Sequence, residues 1–107
     1  MTGSAASAKP GQPERSAPPR TARCTIVNSR GLHARAAAKF VRLAATFDAE
    51  VTVERDGARV PATSILGLMM LGASRGAELA MAAEGTEAEA ALAALVALVE
   101  HGFDETD

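Results

Sequence analysis

The chain has 107 residues, with 22% charged, 3% aromatic and a formal net charge of −2. That length admits one domain with a small core, and with Phe as its only aromatic the core must come from Ala, Val, Leu, Ile and Met. No apolar run approaches the roughly 20 residues a membrane-spanning helix needs, so no membrane insertion is expected.

Residues 1–20, MTGSAASAKPGQPERSAPPR, hold four of the five prolines and no large apolar residue beyond the initial Met. Such a segment cannot offset its ordering entropy by burial, and it reads as a disordered, mildly basic tail. It also lacks the continuous apolar stretch of a signal peptide. Residues 21–107 form the domain, with eight basic and twelve acidic side chains. That acidic balance and the shortage of aromatics argue against nucleic-acid binding. The single cysteine, Cys24, cannot form an internal disulfide, which suits a reducing cytoplasm. It reads as a buried structural thiol.

In chain order, residues 23–28 (RCTIVN) alternate as a half-buried strand does, with Cys24 and Ile26 on one face. SRG then turns the chain. Ala37, Phe40, Val41, Ala44 and Phe47 fall at helical spacing, which predicts a helix over 34–47. EVTVER (50–55) alternates again, RDG signals a hairpin, and ARVPA pairs back on it. TSILGLMMLG predicts a short helix over 64–71, capped by Ser or Thr and closed by Gly72. Residues 77–83 (AELAMAA) form a fourth strand. Thr86 and Glu89 have the spacing of a capping box, opening a helix that runs to about His101 and stops at Gly102. Four strands and three helices in the order βαββαβα predict an α+β fold, with the helices on one face of an antiparallel sheet.

Charge is unevenly placed along this order. Arg23 to Arg42 contains five basic residues and no acid, whereas from Glu78 onward there are eight acids and no Lys or Arg. One end of the domain should be positive and suit an acidic partner or an anionic group. On the helix over 34–47, Arg35, Lys39 and Arg42 form one stripe opposite the apolar face. His33 stands at the N-cap of that helix. There, unpartnered N–H groups and the positive dipole end favour phosphate or another anion. Arg35 adds a planar fork of donors suited to phosphate oxygens. An imidazole beside such a cradle has the parts a transient phosphohistidine needs. Taken alone, it also fits a capping or surface histidine. Metal binding is unsupported, because His101 is the only other histidine and a zinc site needs three or four ligands. No cofactor is implied.

The helix SILGLMML is apolar on both sides. Leu68 and Leu71 lie on one side, Ile65, Leu66 and Met69 on another, and so short a helix cannot bury both. Ile65, Leu66 and Met69 are expected to form an exposed docking patch.

GLHARAAAKFVRLAATF, then TSILGLMMLGASRG and the terminal GF, strongly resemble HPr, the histidine-containing phosphocarrier family of the bacterial phosphotransferase system. The resemblance spans about residues 22–103. It implies an open-faced β-sandwich, phosphorylation of His33 through Nδ1, and assistance from Arg35. It also implies enzyme I as donor, an enzyme IIA protein as acceptor, and Ser64 as a regulatory target of HPr kinase/phosphorylase. The chain is expected to be a monomer and a substrate of its partners more than an independent enzyme. Two departures from the family pattern stand out. Ala36 replaces the Pro that usually follows H-A-R; a proline in the first turn removes only an N–H that is unpaired anyway, so Ala36 should leave the helix start intact. Thr63 replaces the Lys that commonly precedes the regulatory serine, which weakens the expectation of kinase recognition. Both departures resemble HPr-like proteins of the nitrogen-related branch in alphaproteobacteria, where the phosphate chain regulates rather than transports sugar. The rival reading is a non-catalytic regulatory module that holds an anionic ligand or a partner at the same helix start.

Overall fold

The computed structural model describes residues 19–105. They form β1 (Arg20–Thr25), α1 (Ala34–Ala44), β2 (Glu50–Arg55), β3 (Ala58–Pro61), α2 (Ile65–Met70), β4 (Glu78–Glu84) and α3 (Ala88–Glu100). A 3-10 turn, Gly102–Asp104, follows α3. The sheet order is β1-β4-β2-β3, antiparallel throughout. This is the βαββαβα arrangement expected from the periodicity. Among the described residues no helix is long and apolar enough to cross a membrane.

Alternation decides which face of the sheet is covered. Cys24, Val51, Val53, Leu79, Met81 and Ala83 are buried beneath the helices, while their neighbours Thr52, Ala80 and Ala82 are only half-buried on the other face. The helices contribute Phe40, Leu68, Leu95 and Val99, all fully buried. Two of the three phenylalanines, Phe40 and Phe103, have no exposed surface. Truncating either to Ala would cost about 3–5 kcal/mol. Cys24 lies in this core, and burial, with the negative charges of Glu100 and Glu78, pushes its thiol up to about 12. It is a structural thiol, as its alternating context suggested.

Several boundaries differ from the sequence reading, each for a tertiary reason. β1 starts at Arg20, inside the segment assigned to the tail, because the seven-residue β4 offers Ala83 as its ladder partner. The remainder of that tail, residues 1–18, lies outside the described residues. β1 also ends at Thr25 rather than 28, although Ile26 still exchanges backbone bonds with Ala77 and Gly76. α1 stops at Ala44, and its last turn tightens through bonds from Thr46 N to Leu43 O and from Phe47 N to Ala44 O.

The capping box at Thr86 and Glu89 does not form. Thr86 Oγ1 donates instead to Asp48 Oδ2 at 2.5 Å, and the helix begins two residues later behind Glu87, which makes no side-chain cap. The loop after α1 takes over that end. Asp48 N donates to Glu87 Oε1, and Glu87 N donates to Asp48 O. Gly85 permits the close approach, since a Cβ there would lie 2.6 Å from Asp48 O.

The remaining turns follow their sequence signals. Asp56 and Gly57 have φ of 52° and 84°, as a tight hairpin between twisted strands requires. Ser64 Oγ accepts from Gly67 N at 2.8 Å and caps α2.

Candidate functional site

The site is built by the loop between β1 and α1. Asn28 is 1% exposed, and its Nδ2 donates to Gly31 O at 2.9 Å, closing the turn. Gly31 has φ +68° and lies so near the chain after α2 that a Cβ would meet Ala73 O at 2.5 Å. Only glycine fits there. Leu32 N then donates to Ala73 O, and the buried Leu32 side chain anchors the loop. His33 follows in an extended conformation (φ −77°, ψ 179°) as the N-cap of α1.

His33 does not cap the helix with its side chain. Its carbonyl accepts the first helical bond, from Ala37 N at 2.8 Å. The N–H groups of Ala34, Arg35 and Ala36 precede that bond and have no place in the helical ladder. The ring turns instead toward the chain's far end, where Nε2 pairs with Glu105 Oε2. The side chains of both partners are mostly shielded, 14% and 18% exposed. Glu105 Oε1 accepts a second bond, from Asn28 Nδ2 at 3.0 Å. The hydrogen bond from His33 holds the Glu105 carboxyl below its ordinary range, assisted by the bond from Asn28 and by the charge of Arg30.

The basic stripe divides in two. Arg35 and Arg42 are exposed, but Lys39 is half-buried and its Nζ donates to Phe103 O at 2.7 Å. Lys39 therefore holds the tail that carries Glu105. On α2, Leu68 and Leu71 are buried, whereas Ile65, Leu66 and Met69 are 40%, 67% and 40% exposed. Met70, which the sequence reading did not single out, is the most exposed of all at 76%. α1 and α2 pack against each other, and the Leu32–Ala73 bond ties the His33 loop to the segment after α2. The helix that His33 opens and the helix that carries the apolar patch are thus direct neighbours.

A family model described as PTS HPr component, phosphorylation site, matches residues 20–101. The chain belongs to the HPr phosphocarrier family. Its relatives include phosphocarrier protein NPr of Shewanella violacea, 47% identical over 81 residues covering 76% of this chain and 89% of the relative. Phosphocarrier protein HPr of Cupriavidus necator is 43% identical over 81 residues, 76% of this chain and 91% of the relative. HPr-C-His from Thermoanaerobacter tengcongensis has a similar structure, with a TM-score of 0.77 at 43% identity, over 82% of this chain and 99% of that one.

Both histidines fall within the HPr segment, but their surroundings differ. His101 is exposed at the C-cap of α3, the end of a helix that repels anions. His33 stands at a helix start.

Proposed function

We propose that His33 is the phosphoryl-accepting residue of this HPr-family carrier. It takes the group on Nδ1 from phosphorylated enzyme I, which is charged by phosphoenolpyruvate, and donates it to an enzyme IIA protein. The observation that carries this reading is the division of labour on the His33 ring. Nε2 is engaged by Glu105, so Nδ1 is the nitrogen left for chemistry, on a residue that opens α1.

In-line transfer spreads negative charge over the three equatorial oxygens of the moving phosphoryl group. The N–H groups at the start of α1 and the exposed guanidinium of Arg35 are donors suited to those oxygens. Arg42, Ile65, Leu66, Met69 and Met70 would form the contact surface for both protein partners, the cationic part facing an acidic surface. Lys39, the half-buried member of the stripe, also holds the segment after α3 that carries Glu105.

Ser64 is proposed as a regulatory phosphorylation site for HPr kinase/phosphorylase. Its Oγ stands at the start of α2, beside Ile65 and Leu66, so a phosphate there would alter the docking patch without entering the core. The output branch is proposed to be regulatory and nitrogen-related. The two departures at Ala36 and Thr63 support this more than overall identity does, since NPr and HPr relatives match at 47% and 43%.

Incubation with phosphoenolpyruvate and enzyme I should give an acid-labile, base-stable phosphate on the chain. Reversible binding of phosphate without covalent incorporation would favour the anion-holding module instead.

A further inference from the structure

We propose that Glu105 is a positioning residue for phosphoryl transfer: its carboxylate keeps the proton on His33 Nε2 and meets the charge the ring gains at Nδ1. The inference rests on His33 being the phosphoryl acceptor. It adds a residue 72 positions away that neither the loop nor α1 contains.

The chain goes to some length to deliver this carboxylate. After α3, Gly102, Phe103 and Asp104 take successive φ values of 67°, 57° and 63°. Two of those left-handed residues are not glycine, a conformation L side chains adopt only when their surroundings impose it. The surroundings here are identifiable. Phe103 is fully buried in the core, and its carbonyl accepts from Lys39 Nζ on α1. Glu105 N donates to Gly102 O and closes the turn. The reversal brings Glu105 back from the end of α3 to the start of α1.

Asn28 fixes the carboxylate once it arrives. Both of its Nδ2 bonds go to acceptors, Gly31 O and Glu105 Oε1, which determines how the amide is oriented. Its Oδ1 is buried without a hydrogen-bond partner among the described residues. The pair of donor bonds holds the turn and Glu105 in register.

The chemistry follows from the ring's two nitrogens. A carboxylate accepts only from a protonated nitrogen, so its contact with Nε2 selects the neutral tautomer that carries its lone pair on Nδ1. In the transfer step that lone pair forms the bond to phosphorus. The donor's bond to phosphorus breaks, and its electron pair stays with the donor. The Nε2 proton does not move. The ring therefore gains one positive charge while bonded to the phosphoryl group, and Glu105 is already in place beside it. On donation to the acceptor the N–P electrons return to Nδ1 and the charge disappears. A fixed, shielded carboxylate stabilises the charged state more than solvent would.

The test compares the full chain with Glu105→Ala and Glu105→Gln in two measurements. The first needs no partner. Proton NMR of the parent should show a slowly exchanging, strongly downfield His33 Nε2–H, absent from Glu105→Ala. The second measures phosphoryl acceptance from phosphorylated enzyme I, together with the Kd for unphosphorylated enzyme I. Glu105→Ala should transfer about tenfold slower or worse, a modest share of what a fixed charge supplies in a shielded site, with Kd within twofold of the parent. Glu105→Gln can still accept the hydrogen bond from Nε2–H through its amide oxygen but carries no charge, so it should fall between the two. The proposal is overturned if the Nε2–H signal is unchanged in Glu105→Ala. It is also overturned if transfer by that variant stays within twofold, or if its loss is matched by weaker enzyme I binding. A parent chain that shows the NMR signature yet takes no phosphate would refute the His33 assignment and not the contact.

Discussion

Lys39 Nζ lies 2.7 Å from the carbonyl oxygen of Phe103, across 64 positions of sequence. The lysine sits on α1, six residues past His33, and the carbonyl sits in the turn that leads to Glu105. One ammonium thus joins the helix that opens with the histidine to the segment that supports it.

Replacing Lys39 by Met keeps the apolar stem and removes the donor. A hydrogen bond from a charged group is worth about 1.5–3 kcal/mol when its acceptor is left unpaired. The expected result is a melting temperature several degrees lower and faster exchange of the His33 Nε2 proton. Thermal denaturation and NMR exchange measure the two effects. An unchanged proton in a destabilised variant would separate Lys39 from the site.

Arg35 differs from Lys39 in being free to reach a partner. Arg35→Lys retains charge but loses the planar fork, which is not conservative at a phosphate site. Transfer should slow in both directions with little change in melting temperature, because the side chain is exposed. Rapid-quench kinetics with enzyme I would read this. Equal rates for Arg35→Ala would remove the residue from the mechanism.

Ser64→Asp separates folding from docking. Asp can replace Ser as acceptor for Gly67 N, and its charge suits a helix start. The variant should melt no lower than the parent. The same charge lies next to Ile65 and Leu66, where it would have to be desolvated on docking and would repel an acidic partner. Acceptance from enzyme I should therefore be slower. A lower melting temperature with normal transfer would reduce Ser64 to a cap.

The pH dependence of stability carries the imprint of Glu105. Hydrogen bonding from His33 lowers its folded value below the ordinary 4.5. The carboxylate therefore contributes stability that is fully present above pH 4.5 and is lost as pH falls through the depressed value. Glu105→Gln lacks that contribution, so its stability should decline less steeply than the parent's below pH 4.5. Urea denaturation across pH 3–6 tests this, and parallel curves would count against the pairing.

Much of the fold was legible because period and turn chemistry agree with tertiary structure. Val51 and Val53 alternate inward, Asp56 and Gly57 turn, and Gly72 and Gly102 end helices where they were expected to. What was illegible depends on partners distant in sequence. Thr86 looked like a cap until Asp48, 38 positions away, took its hydroxyl. Arg20 looked like tail because nothing in its side chain signals a ladder partner on β4. At the site, His33, Arg35 and the patch on α2 were visible as local patterns. Glu105 and Asn28 were not, because no periodicity links a carboxylate after the last helix to a histidine before the first. Two hints were present: a buried-type Phe in a GF sequence beyond a helix end, and an Asn three residues before the Gly of the turn.

The central claim is tested most directly by locating the phosphate. The chain should be incubated with enzyme I and phosphoenolpyruvate, and the product examined by phosphorus NMR and by comparison with His33→Ala. The predicted result is one phosphate, acid-labile and base-stable, bonded to Nδ1 of His33 and absent from His33→Ala, whose fold survives because the ring makes no cap bond. Phosphate on His101, or undiminished incorporation into His33→Ala, would contradict the account.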